Sequence, residues 1–204
     1  MKRKHLIALF ATLVMLTGYS NNILAKGVKV KSGSISALKS EKSIKIQIDY
    51  DGVRVGKDSE KDYVNKKVNE YNAKEKGKGD KWKEGWEGNR TTRYNPAFTG
   101  MFNKVVSKKL TASESVDAKY TLIVKVVVIE PGFNVGVMKK PAYVDFEFTV
   151  VETANPAKPV CELLLDKVPG SQYSGYDFDA GTRIAEAFSL GGKILGKYFM
   201  KNLK

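Results

Sequence analysis

The chain has 204 residues, with 35 Lys and Arg against 22 Asp and Glu, a formal net charge of +13, one histidine and one cysteine. The histidine is His5, so the rest of the chain lacks the imidazole that Ser-His-Asp and Cys-His catalysis require, and with it nearly every zinc ligand set. A lone Cys161 excludes an intramolecular disulfide, and its place in an apolar strand predicts a buried thiol, not a nucleophile.

Residues 1–25 read as an export leader. Lys2, Arg3 and Lys4 precede an apolar run from Leu6 to Leu16, broken only by Thr12 and too short to span a bilayer. Turn-forming residues 18–22 follow, and Ala25 suits the last position before cleavage, which makes Lys26 the first mature residue. Leu16-Thr17-Gly18 looks like the start of a lipobox, but Tyr19 stands where the lipid-bearing cysteine is required. No later segment reaches transmembrane length. The reading is a periplasmic, envelope-associated or secreted protein, with 26–204 as a single domain large enough for a core. Without the three leader cations the net charge is +10. At that address the charge would meet anionic lipid or glycan before nucleic acid, and it also serves solubility.

Residues 28–38 form a weak strand candidate. Residues 43–50 alternate cleanly, with Ile44, Ile46, Ile48 and Tyr50 on one face. Val53 to Val55 extend the sheet past an Asp51-Gly52 turn. Ser59 and Asp62 make a capping box for a helix over 60–76, where Val64, Val68 and Tyr71 recur at helical spacing before Gly77. A glycine- and lysine-rich stretch over 77–95 carries both tryptophans, and a helix beginning near Pro96 presents Phe98, Met101, Phe102, Val105, Val106 and Leu110. Residues 119–130 are apolar on both faces, as in a central strand. Residues 143–151 and 160–168 form a hairpin about the turn at 154–159. A last helix over Ala180–Asn202 is capped by Asp179. The order predicts an α+β fold: a mainly antiparallel sheet of four to six strands, helices packed on one face, and a C-terminal helix.

Two surfaces are candidates for binding. Trp82 and Trp86 share a helical face, and with Arg90, Arg93 and Tyr94 they could form an aromatic platform with cations for a sugar or lipid headgroup. The competing reading packs both indoles into the core. On the last helix Lys193, Lys197, Lys201 and Lys204 line one face, opposite Ile184, Phe188, Leu195 and Phe199. Such a helix can lie on an anionic membrane or simply present a solvated side. Ala185, Ser189, Gly192 and Gly196 form a small-residue seam for close approach to the sheet or a partner.

Carboxylates can catalyse without histidine, so Asp145 with Glu147 and Asp177 with Asp179 are candidates for a glycosidase pair. Strand alternation explains the first pair and helix capping explains Asp179, which leaves Asp177. No Walker loop is present, and residues 132–136 lack a dinucleotide-fold context. No cofactor or metal is expected, and nothing specifies an oligomeric state.

The run from Gly79 to Trp86, with Asn89-Arg90, Arg93-Tyr94, Pro96, Phe98 and Phe102-Asn103, and before it Val55-Gly56 and Asp62-Tyr63-Val64, resembles a family of exported, functionally uncharacterised proteins from Gram-negative gut bacteria. The resemblance implies a Gram-negative source and carries no catalytic assignment. The order of elements is also similar to periplasmic lipoproteins that help assemble outer-membrane machinery, a likeness of topology alone. The expectation is a non-catalytic binding or assembly protein whose partner is an envelope protein or an anionic envelope component, not nucleic acid. A binder of anionic lipid or glycan and a carboxylate-dependent glycan hydrolase are the alternatives.

Overall fold

The computed structural model describes residues 27–135, 137–170 and 179–204. The expected leader over 1–25 and Asp177 lie outside the described residues. In chain order the elements are β1 (Lys29–Gly33), β2 (Ser43–Asp49), β3 (Arg54–Val55), β4 (Asp58–Ser59), α1 (Glu60–Asn72), α2 (Lys78–Asn89), α3 (Asn95–Val106), β5 (Thr111–Ser113), β6 (Tyr120–Glu130), β7 (Phe133–Asn134), β8 (Lys139–Lys140), β9 (Tyr143–Glu152), β10 (Asn155–Pro169) and α4 (Ala180–Asn202).

The fold is α+β, but the sheet differs from the expected one. It has eight strands in the order β1-β10-β9-β6-β2-β5, with β3 and β4 joined beside β6. Three of its pairings are parallel: β2 with β5, β2 with β6, and β3 with β6. The reason is the helical segment 60–106. It carries the chain from one end of the sheet to the other, so the next long strand re-enters in the same direction as β2. The β9–β10 hairpin is antiparallel as expected, and so is β9 on β6.

β6 does lie in the middle of the sheet, yet it is not buried on both faces. Leu122, Val124 and Val126 are buried, whereas Ile123, Lys125 and Val127 are half-exposed. α3 and α4 both cover the face that carries Phe146 and Phe148, so among the described residues the opposite face is left half-exposed. At the start of the chain, β1 ends at Gly33, where φ is 67° and a Cβ would sit 2.0 Å from the Val160 carbonyl oxygen. A single 3-10 turn, Ile35–Leu38, then replaces the rest of the predicted strand and buries both of its end residues.

The core is a layer of aromatic rings. Phe98 meets Phe146 and Phe148 at 5.7 and 6.0 Å, Phe102 meets Phe199 at 5.2 Å, and Phe188 meets Phe146 at 5.1 Å. The small-residue seam of α4 faces inward. A Cβ on Gly192 would lie 2.3 Å from the Phe98 carbonyl oxygen, and one on Gly196 would lie 2.9 Å from Val105 Cβ. The seam is therefore filled by α3.

These glycines set a contrast that unfolding in urea can measure. Gly192→Ala should lower stability by about 1–3 kcal/mol, because backbone or helix must shift to admit the methyl group. Gly85→Ala, in the interior of α2 with nothing within 4 Å of its added Cβ, should raise stability by about 0.5–1 kcal/mol.

Candidate functional site

The Trp82–Tyr94 segment is helical throughout. Gly77 adopts a φ of 83° to start α2, and Gly79 lets α2 cross α1 where a Cβ would meet the Val68 carbonyl oxygen at 2.2 Å. The Asn72 side chain accepts from the Gly79 N–H at 2.7 Å and locks that crossing. A π-helical turn, Arg90–Tyr94, joins α2 to α3, and the Asn95 N–H reaches back to the Arg90 carbonyl. The wider turn admits Pro96, which has no N–H to donate, without a break. The helix expected to begin near Pro96 thus continues one that starts at Lys78.

Between α1 and α2 sits an aromatic cluster. Tyr63 and Trp86 lie 5.3 Å apart, Trp82 and Trp86 5.6 Å, Tyr71 and Trp82 5.8 Å, and Tyr63 and Trp82 6.0 Å between ring centroids. Trp86 is buried and Trp82 half-buried. Burial pushes the Tyr63 phenol up to about 12. Glu60, in the first turn of α1, accepts from Trp86 Nε1 at 2.9 Å and from Arg90 Nη2 with its other oxygen. The Arg90 guanidinium lies 4.4 Å from the Tyr50 ring centroid, and the Tyr50 hydroxyl donates to Asn95 at 2.8 Å. Burial raises the Tyr50 phenol far above its ordinary value, although Arg90 pulls the other way.

Tyr94 is fully buried and stacks on Phe188 at 5.1 Å, which keeps its phenol raised as well. Arg93 is exposed but ion-paired with Asp179. Asp179 is the N-cap of α4, accepting from the N–H groups of Gly181 and Thr182 at 3.0 and 3.2 Å. Burial pushes its carboxyl up, but Arg93, the Thr182 hydroxyl and the Gly181 N–H outweigh that and hold it below the usual carboxylate range. The structure does bring the five candidate residues together, as joints between α1, α2, α4 and the sheet. What they leave for a ligand is one half-buried indole and a paired Arg93.

Lys193, Lys197 and Lys201 lie on the exposed face of α4, and no ion pair with an acid is formed by any of them among the described residues. Asp145 and Glu147 are on the open sheet face, half-buried. Burial raises the Asp145 carboxyl, while the Lys167 N–H donates to it at 2.6 Å. Lys167 has a φ of 51° within an irregularity of β10, so Asp145 stitches that strand to its neighbour. Cys161 is buried, and burial raises its thiol. Among the described residues no group of three or more His, Cys, Asp or Glu is placed to hold a metal ion.

Two features went unread in the sequence. Arg183 is a buried cation near the start of α4. Phe133, Val135, Val137 and Met138 form an exposed apolar tip between Pro131 and Pro141. Apolar residues in a stretch bounded by prolines, outside any alternating strand, were the available signal for the second.

No protein-family model matches the chain, and no curated protein is similar to it. Among solved structures it is similar to the PelC dodecamer from Paraburkholderia phytofirmans, at 13% identity over 83% of this chain and 98% of that one, with a TM-score of 0.37. A variant of that dodecamer in another crystal form gives 14% and 0.35 over the same shares. Protein XCC0632 from Xanthomonas campestris, of family DUF330, gives 13% identity over 50% of this chain and 61% of that one, with a TM-score of 0.34. Likenesses this distant carry no argument about activity or partner, and none of them supports the gut-bacterial family resemblance.

Glu60→Ala should cost about 2 kcal/mol, because it strips the partners from a buried indole N–H and a guanidinium at once. Urea unfolding followed by tryptophan emission reads this directly. Asp179→Ala should cost about 1 kcal/mol at neutral pH through loss of the cap. Because the folded carboxyl is held below its ordinary value, its contribution is complete above the unfolded Asp range and fades as pH falls through the folded value. The gap between wild type and variant should therefore close in acid titration of the unfolding midpoint.

Proposed function

We propose that this chain is an exported, non-catalytic binding or assembly protein of the Gram-negative envelope. The observation that carries the reading is how its reactive groups are engaged. Asp179 caps a helix, Asp145 holds a strand irregularity, Glu60 neutralises Arg90, and Cys161 is buried with a raised thiol. Each of these carboxylates is held by a structural partner among the described residues, whereas a glycan hydrolase needs two carboxylates facing each other across a cleft. The leader over 1–25 supports the address, and no helix among the described residues is long and apolar enough to cross a membrane.

An anionic envelope component as partner is favoured by one specific feature, the row Lys193, Lys197 and Lys201 on the exposed face of α4. Exposed cations act through long-range attraction and lose it as salt rises.

Processed protein recovered from an expressing Gram-negative cell should co-sediment with native envelope vesicles. Binding should weaken at high salt, and weaken about fivefold or more when the three lysines are changed to Gln. Retention wholly in the soluble fraction would overturn envelope association. Salt-resistant binding that ignores the lysines would remove them from the contact and assign it to an apolar surface.

A further inference from the structure

Between Pro131 and Pro141 the chain leaves the main sheet as a separate ribbon, in which Phe133 pairs with Lys140 and Asn134 with Lys139. Its tip carries Phe133, Val135, Val137 and Met138 at 43%, 59%, 94% and 62% exposure. Among the described residues only Val30 joins these four as an exposed large hydrophobic. Exposed apolar residues scattered singly are ordinary, but four gathered on one projection are not.

The base of the ribbon is firmly built. Arg183, 3% exposed, donates from Nε to the Pro131 carbonyl at 3.1 Å and from Nη2 to the Gly132 carbonyl at 3.3 Å. The Glu130 carboxylate accepts from the Gly132 N–H at 3.1 Å and from Lys140 Nζ at 2.8 Å. Gly132 has a φ of 59°, and a Cβ there would lie 2.2 Å from the Lys140 carbonyl oxygen. A buried cation, a carboxylate and a residue-specific turn thus hold up a tip whose apolar side chains stay exposed. The tip also satisfies part of its own backbone: the Val135 N–H donates to the Met138 carbonyl and the Val137 N–H to the Val135 carbonyl, each at 3.0 Å. Amides already paired lower the cost of entering an apolar medium.

We propose that this tip inserts into the headgroup–acyl boundary of an anionic lipid bilayer, with Lys139 at headgroup level. The proposal rests on the envelope reading above and names the contact within it. Charge favours this occupant through Lys139, which is exposed beside the tip with no acid in residues 131–140, whereas Lys140 is paired with Glu130 at the base. Size disfavours a second copy of the chain, because a stable dimer buries about 800 Å² per partner. Four side chains on a narrow ribbon fall short of that, whereas a bilayer demands no matching shape. The lysine row of α4 is a separate surface: Lys193 to Lys201 lie roughly 15 to 27 Å further along the helix axis than Arg183.

The test uses processed protein and protein-free vesicles of phosphatidylglycerol with phosphatidylethanolamine, against vesicles of phosphatidylcholine. Binding is expected on the anionic vesicles, at least about tenfold weaker for Val137→Asp/Met138→Asp and about fivefold weaker for Lys139→Gln. These side chains are exposed, so the variants should keep the wild-type thermal unfolding midpoint. Unchanged lipid binding in the double aspartate variant would overturn the proposal. Absence of lipid binding in a protein that still sediments with native envelope vesicles would overturn it too, while leaving envelope association intact. Lipid binding unchanged while the double variant loses self-association would assign the tip to a second copy of the chain.

Discussion

Gly191, Gly192 and Gly196 leave gaps among Phe188, Leu195 and Phe199 on the buried side of α4, and the molecule is organised around the close contact this permits. Gly192 brings the α4 backbone against the Phe98 carbonyl of α3, while Gly191 faces the Phe146 ring of β9. At that separation Phe98, Phe102, Phe146, Phe188 and Phe199 interlock as one layer between helices and sheet. The position of α4 then decides much else. It sets Asp179 beside Arg93, brings Arg183 under the Pro131-Gly132 turn, and turns Lys193, Lys197 and Lys201 to solvent.

The residues that look most like a binding site in the sequence are those the fold uses to join its parts. Trp86 and Arg90 share the two oxygens of Glu60 across α1 and α2, and Arg90 also lies against Tyr50 of the sheet. Asn103 clamps the edge strand β5 by accepting from the Ala112 N–H and donating to the Ala112 carbonyl, at 2.7 and 2.8 Å. Aromatic and cationic side chains suit both recognition and internal bracing, because each combines apolar area with directed polar contacts. Composition cannot separate the two uses. Only the location of Glu60, 26 residues before Trp86 and 30 before Arg90, does so.

A different logic governs the projecting tip. A short apolar stretch between prolines reads as an ordinary connection, and its meaning comes from what surrounds it. Arg183 lies about fifty residues away in sequence and is a conventional surface residue by type, yet its guanidinium is buried beneath the turn. A buried cation is tolerated where backbone carbonyls receive its donors, and here those carbonyls belong to the foot of the ribbon.

Local pattern alone determined which segments are strands and helices in most places. Alternation marked β2 and β9, the turn after β9 marked β10 as its hairpin partner, helical spacing marked α1 and α4, and the Ser59 and Asp179 caps fell where hydrogen-bonding chemistry places them. It also determined that the chain after His5 has no imidazole to work with. Direction of pairing was decided by the tertiary structure, since β2 lies parallel to β6 only because three helices intervene. So was the less covered face of β6, where Ile123 and Val127 are as apolar as their buried neighbours but have no helix above them among the described residues. Periodicity reports what a segment can bury. Which of its faces is in fact covered depends on where distant segments come to rest, and here that was set by the close approach the α4 glycines permit.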